Sequence, residues 1–317
     1  MISKAESQVP SFTSTPPRAR PIDTAGVMPN EFLRRAYRHV QPAVEAIFGF
    51  PALWRLYDAC ARPGLNGPPF AAAVLEKLGV TWSIPESDLA KLRAVQGPLV
   101  VVSNHPHGGL DSLALVQVLE AIRPNGWRML SNQVICSIPE FGPRLIAVDP
   151  LGRGKESVRL NMTGLGQALR HLKSGEMLGI FPAGRVSHWD RTLRAVCDRP
   201  WSDHAIRLAE KAGATVACLH IPGANSRPFL AVPPAWTRLR ALTLCRELVR
   251  PAVLHVDIRL AAVLTPPEVR RFAHAPASGA RLRAQCFLRA DRDLPRPVLS
   301  AKTGSTPRPP VATREAS

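Results

Sequence analysis

Residues 98–111 read PLVVVSNHPHGGLD. The run Leu99–Val102 is unbroken and apolar, with three β-branched valines, and it is closed by the polar pair Ser103-Asn104. A short run of this kind fits a strand buried on both faces, as in a parallel sheet covered by helices. Two histidines, two glycines and an aspartate follow at once: His105, His107, Gly108, Gly109 and Asp111. In open α/β sheets, ligand sites gather beyond the carboxyl ends of the strands. The polar knot has three readings: a metal site, a strand-to-helix turn without chemistry, and a His/Asp catalytic pair.

The pattern continues outward from this strand. Further strand-like runs lie at Arg128–Leu130, Leu145–Val148, Met177–Phe181, Thr215–His220 and Val253–Ile258. Helical patterns occupy 112–122, 156–173, 202–213, 235–248 and 266–290. Short apolar strands alternating with helices predict an α/β class fold, a single domain with a mixed, mainly parallel sheet flanked by helices. Its expected span is 98–290. Before it, Leu33, Tyr37, Val40, Val44 and Ile47 recur at helical spacing, with Arg34, Arg35 and Arg38 off that stripe. The segment 28–97 is therefore read as helical, either lying in a lipid interface or capping the core. Residues 1–27 and 291–317 are rich in Pro, Ser, Thr and Arg and read as disordered tails.

The 41 Lys and Arg against 24 Asp and Glu give a net charge of +17, which favours anionic partners. A sequence only 6% aromatic offers little for base stacking and contains no nucleic-acid motif, so nucleic acid is not an expected partner. The six cysteines lie far apart and are expected to be reduced thiols. The start, MISKAESQVPSFTSTPPRARP, lacks the apolar core of a signal peptide. No stretch approaches the ~20 unbroken apolar residues of a spanning helix, so a cytoplasmic, peripheral location is expected.

The metal reading of the opening stretch has only Asp111 to join His105 and His107, where a catalytic zinc wants three protein ligands. No metal is expected. The bare turn accounts for the glycines, and for Asp111 as a helix N-cap before Ser112, but not for histidine. A histidine at a strand's end with an aspartate one loop away suits a base oriented by a carboxylate. Two other strands end alike: FPAGRVSHW follows at 181–189 and HIPGANSR at 220–227. Three polar Pro/Gly turns at strand ends in one sheet predict a composite site at one edge.

The ordered series NHPHGGLD, FPAGRVSHW and IPGANSR resembles the glycerolipid acyltransferase superfamily, typified by bacterial lysophosphatidate acyltransferases, and within it the hemolysin-like lysophospholipid acyltransferase branch. The likeness spans about residues 45–290. It implies that His105 is the general base and Asp111 its orienting carboxylate, with five residues between them where the superfamily usually has four. His107 is the second choice of base. The block matching FPAGRVS helps to bind acceptor phosphate, which implies Pro182, Gly184, Arg185 and Ser187 as substrate-binding residues. Here Ala183 replaces the superfamily's Glu, and Arg185 stands where the branch has Glu. Arg153 matches an arginine contacting acceptor phosphate; independently, Arg153 and Lys155 in a glycine-rich turn before a helix suit an anion. Asn225 and Arg227 complete the candidate set, with Pro222 in a structural motif.

The implied activity is transfer of a fatty acyl group from acyl-CoA or acyl-carrier protein, as co-substrate without a cofactor, to a lysophospholipid or related lipid. The implied partners are that lipid, an anionic membrane surface at the inner face of the cytoplasmic membrane, and acyl-carrier protein. The absence of a Gly-x-Ser-x-Gly elbow disfavours serine hydrolase chemistry. The alternative is a basic peripheral membrane-binding protein of the same fold without turnover.

Overall fold

The computed structural model describes residues 30–287 except Pro63, Leu151 and Arg153, together with Arg20, Ile22, Thr24 and Ala25. The N-terminal part holds α1 (Glu31–Ile47), α2 (Phe50–Cys60), α3 (Pro68–Lys77), β1 (Thr81–Ser83) and α4 (Glu86–Arg93). β2 (Leu99–Ser103), α5 (Gly109–Ile122), β3 (Trp127–Asn132), α6 (Gln133–Cys136) and β4 (Leu145–Val148) follow. Next come α7 (Lys155–Lys173), β5 (Met177–Ile180), β6 (His188–Asp190), β7 (Ala195–Cys197), α8 (His204–Ala212) and β8 (Thr215–His220). The chain ends in α9 (Arg227–Ala231), α10 (Thr237–Val249), β9 (His255–Asp257), β10 (Arg259–Leu264), α11 (Pro266–Ala273) and α12 (Ser278–Phe287).

The main sheet has strand order β10-β8-β2-β5-β3-β4, parallel throughout except for β10, which runs antiparallel to β8. β2 lies inside it, and every residue of LVVVS is buried. The two-residue period of a strand sends Leu99 and Val101 to the face under α3 and α5, and Val100 and Val102 to the face under α7, α8 and α12. Both faces are dry, which is why this strand reads as continuous valine rather than as alternation. The expected mixed, mainly parallel sheet between helix layers is what the chain forms.

Two boundaries differ from the sequence reading. The run Val253–Ile258 does not join the main sheet: β9 pairs in parallel with β1, and the edge strand is β10, beginning just after Ile258. The apolar pattern is continuous across the junction, so periodicity alone cannot show where one strand ends. The helix expected over 266–290 splits into α11 and α12, because Pro276 supplies no N–H and Ala277 takes φ 54°. At the N-terminus, Thr24 and Ala25 are buried, and the Thr24 hydroxyl donates to Glu45 of α1 at 2.7 Å. The rest of the expected tail 1–27, apart from Arg20 and Ile22, and all of 291–317 lie outside the described residues. All six cysteines are free thiols.

Candidate active site

β8, β2 and β5 are adjacent and parallel, so their carboxyl ends meet at one edge of the sheet. The three polar turns seen in the sequence therefore lie side by side, and specific bonds stitch them together. The Asn104 side chain donates to Ile221 O and accepts from Ile221 N, both at 2.7 Å, joining the β2 and β8 turns. Ser187 N donates to His105 O at 2.9 Å, joining the β2 and β5 turns. Gly223 takes φ +107°, and a Cβ there would meet the His107 ring at 2.7 Å, so only glycine lets the turns close this tightly.

Asp111 is 0% exposed at the third position of α5, not at its N-cap as the sequence suggested. Gly108 is the N-cap, at φ 74°. Asp111 Oδ2 reaches back to accept from His107 N at 2.7 Å and Gly108 N at 3.0 Å, covering N–H groups at the helix start. The same oxygen lies 3.1 Å from His105 Nδ1. An ionised carboxylate only accepts, so this contact places the proton on Nδ1 and leaves Nε2 with its lone pair. The His105 ring is also stacked on Phe181, with centroids 3.9 Å apart and planes at 20°. Its side chain stays 14% exposed, and Nε2 takes no hydrogen bond from the described residues. The arrangement can hold an imidazole in one tautomer with its basic nitrogen open.

Asp198 is a second buried carboxylate behind His105, which the sequence reading missed. It accepts from His105 N at 3.3 Å, from Trp201 Nε1 at 2.9 Å and from the Ser187 hydroxyl. Burial pushes its carboxyl above the usual range, while these donors pull it back. Its sequence setting, CDRPW after β7, carries no strand-end motif and gave no signal.

The other candidates fall at varied places. His107 is 3% exposed, its Nε2 lies 3.0 Å from Pro222 O, and its buried Nδ1 has no partner. Its ring faces protein, and only its backbone N–H touches Asp111. Pro182 is buried, and Gly184, at φ +62°, brings the FPAGR turn against Pro150, next to the turn that opens α7. Arg185 is half-buried in that turn. The Ser187 hydroxyl is committed to Asp198 rather than turned to a ligand. Asn225 is buried with Nδ2 unpartnered, and Arg227 is exposed at the start of α9. Glu247 of α10, another residue without a sequence signal, grips Ser226 between them at its N–H and hydroxyl. Lys155 is exposed at the start of α7, on an open cleft of about 630 Å³ shared with Val158, Arg159 and Met162. Arg153 lies outside the described residues.

Among the described residues, one group offers three metal-type donors within 4.8 Å: His188, Asp190 and Cys197 on the β6–β7 hairpin. Arg283 acts on Cys197 and Asp190, and Arg199 and Arg240 act on His188, so the surroundings are positive and hostile to a cation. His105 and His107 belong to no such group.

Residues 84–221 match the family model described as Acyltransferase. No curated protein matches the chain. Among solved structures, the chain is similar to the crystal structure of the 1-acyl-sn-glycerophosphate (LPA) acyltransferase PlsC from Thermotoga maritima. The two share 14% identity over 80% of this chain and 96% of that one, with a TM-score of 0.35.

Proposed function

With residues 84–221 matching the family model described as Acyltransferase, we propose that this protein transfers an acyl group from an acyl thioester to the hydroxyl of a lysophospholipid-type acceptor. The observation that carries the reading is the His105–Asp111 pair at 3.1 Å, open at Nε2 and set where three turns converge. In the proposed step, His105 Nε2 takes the acceptor's hydroxyl proton as its oxygen attacks the thioester carbonyl. The Nδ1 proton stays on the ring and is held by Asp111, whose charge stabilises the imidazolium. The tetrahedral intermediate then collapses, the carbon–sulfur bond breaks, and the departing thiolate recovers the proton from Nε2. No acyl-enzyme is formed.

The donor is acyl-CoA or acyl-carrier protein, both of which carry phosphate that suits a chain of charge +17. Lys155, Arg153 and Arg185 are the proposed anion-binding side chains. The deciding experiment incubates purified protein with labelled acyl-CoA or acyl-carrier protein and a panel of lysolipids. Labelled diacyl product is the expected outcome. No product with any pair would favour the alternative reading, a membrane-binding protein without turnover, to which Ala183 and Arg185 would then point.

Arg185 sets a further expectation. A guanidinium that grips phosphate or carboxylate makes charge-assisted hydrogen bonds worth roughly 1.5–3 kcal/mol. Arg185→Glu should therefore lower activity toward anionic lysolipids about ten- to a hundredfold. Rates on anionic and zwitterionic acceptors check this; an unchanged preference would remove Arg185 from the acceptor pocket.

A lipid acceptor also implies contact with a bilayer. No described helix is long and apolar enough to cross a membrane. α1 leaves Phe32, Leu33, Val40 and Ile47 exposed beside its arginines. Flotation with anionic vesicles should show binding at low ionic strength that fades as screening shortens the Debye length to about 8 Å. Equal binding to neutral vesicles at all salt concentrations would leave the apolar stripe alone as its cause.

A further inference from the structure

Away from α1, most of the exposed large apolar side chains lie at the edge that carries His105; Leu254, just before β9, and Val263, on the edge strand β10, are exposed outside this set. Val134 follows β3 directly, in α6. Val158 and Met162 lie in the first turns of α7, and Met162 is 70% exposed. Their level is fixed by the neighbouring side chain of Asn161, which bonds both N and O of Asp149, one residue beyond β4. This part of α7 therefore stands at and past the strand ends. Trp189 and Leu193 belong to the β6–β7 hairpin that leaves β5, and Leu193 is 62% exposed. Trp236, 60% exposed, lies on the loop between α9 and α10. That loop is held beside the hairpin by Arg199 bonding Pro234 O at 2.7 Å and Arg240 bonding Ser187 O at 3.0 Å.

The hairpin is the sharpest part of this rim. Its pleat sends His188 and Asp190 to one face and Trp189 to the other. The turn between the strands is Arg191-Thr192-Leu193-Arg194, exposed throughout. Asp190 Oδ1 accepts from Thr192 N at 2.8 Å and Leu193 N at 2.9 Å, so the tip is a formed turn with Leu193 between two arginines. Lys155 and Arg159 alternate with Val158 and Met162 in the same way, with Glu156 the exposed acid among them.

We propose that this rim, led by the hairpin tip Trp189–Arg194, is the face that docks on an anionic phospholipid surface. It extends the lipid-acceptor reading by naming which face of the molecule meets the bilayer. The apolar groups are carried by four separate segments, three of which, α7, the hairpin and the Trp236 loop, set them beside a cation or an indole. Separate wedges suit a deformable surface, where tryptophan prefers the headgroup level and arginine reaches anionic phosphate while its stem lies in the apolar layer. Exposed basic side chains near such a surface each add attraction. The rim also places the open nitrogen of His105 at the side from which a lipid would enter.

The test needs no turnover. Full-length protein is mixed with vesicles of equal parts phosphatidylcholine and phosphatidylglycerol, with and without brominated acyl chains. The expected result is tryptophan quenching by the brominated chains, a share of which disappears in Trp189→Phe. The double variant Trp189→Ser with Leu193→Ser should lower vesicle partitioning at least about tenfold, since two side chains no longer leave water on docking. Both residues are exposed, so its thermal unfolding should match wild type. Wild-type partitioning by the double variant, quenching untouched by Trp189→Phe, or no vesicle binding by the wild type would each overturn the proposal. So would light scattering that shows a dimer dissolved by the double variant, because the rim would then be covered by a second copy. Turnover of detergent-dispersed lysolipid by the double variant reports separately on the acyl-transfer reading.

Discussion

His105→Ala should lower acyl transfer by about 10²–10⁴ in rate, the usual contribution of a positioned general base. The variant should still fold. The imidazole lies at the rim of the β2 turn, 14% exposed, and the bonds that shape this turn are made by its backbone and by Asn104. Losing the stacking on Phe181 costs stability, on the order of 0.5–1.5 kcal/mol for an aromatic pair, well short of unfolding a domain. Product formation under saturating donor, with thermal unfolding followed in parallel, separates the two effects. His107→Ala makes the control. Its ring is buried against Pro222 and Gly223, so the expected loss is of stability first. An inactive, folded His107→Ala beside an active His105→Ala would reverse the assignment of the base.

Asp111→Asn should be nearly as damaging, by a different route. Oδ2 of Asp111 serves three N–H groups at once: His105 Nδ1, His107 N and Gly108 N. An amide that turns its oxygen to the two backbone donors keeps the helix start. In that orientation it has no negative charge for an imidazolium; in the flipped orientation its NH₂ faces Nδ1, the backbone donors lose their acceptor and the ring changes tautomer. Nε2 would then carry the proton and could not accept one. The analogous change in a Ser-His-Asp triad costs about 10⁴, and a loss of 10²–10⁴ in kcat with a small change in KM is the expected range here. Stability should fall by about 1–3 kcal/mol if one buried donor is orphaned. Activity within a factor of about two of wild type would show that the carboxylate does not orient the base.

The placement of the candidate site was legible because its residues sit at the ends of strands that advertise themselves. Leu99–Val102 is apolar on every residue because both faces are covered, and the three Pro/Gly turns follow strands that prove to be neighbours. Other features were hidden for physical reasons. The role of Asp111 depends on where α5 starts, and Gly108 at φ 74° starts it before the first apolar residues suggest. β10 continues the alternating pattern of β9 without a break, and the difference between them is a partner strand, which no local pattern encodes. Asp198 reaches His105 across 93 positions of sequence, from a stretch with no turn signature. The β6–β7 hairpin is short and polar on one face, and reads as loop until its register is known.

The bonds that shape the His105 turn carry a kinetic consequence. Asn104 is paired with Ile221 across 117 positions, and His105 N with Asp198 across 93. Closing such loops costs chain entropy before any contact offsets it, which makes parallel sheets slow to assemble. α5 can form from its own neighbours early, with Asp111 already bonded to Gly108. The His105 turn beside it gains its brace only when β8 docks against β2, late along the nascent chain. Until then the helix exists without the composite site.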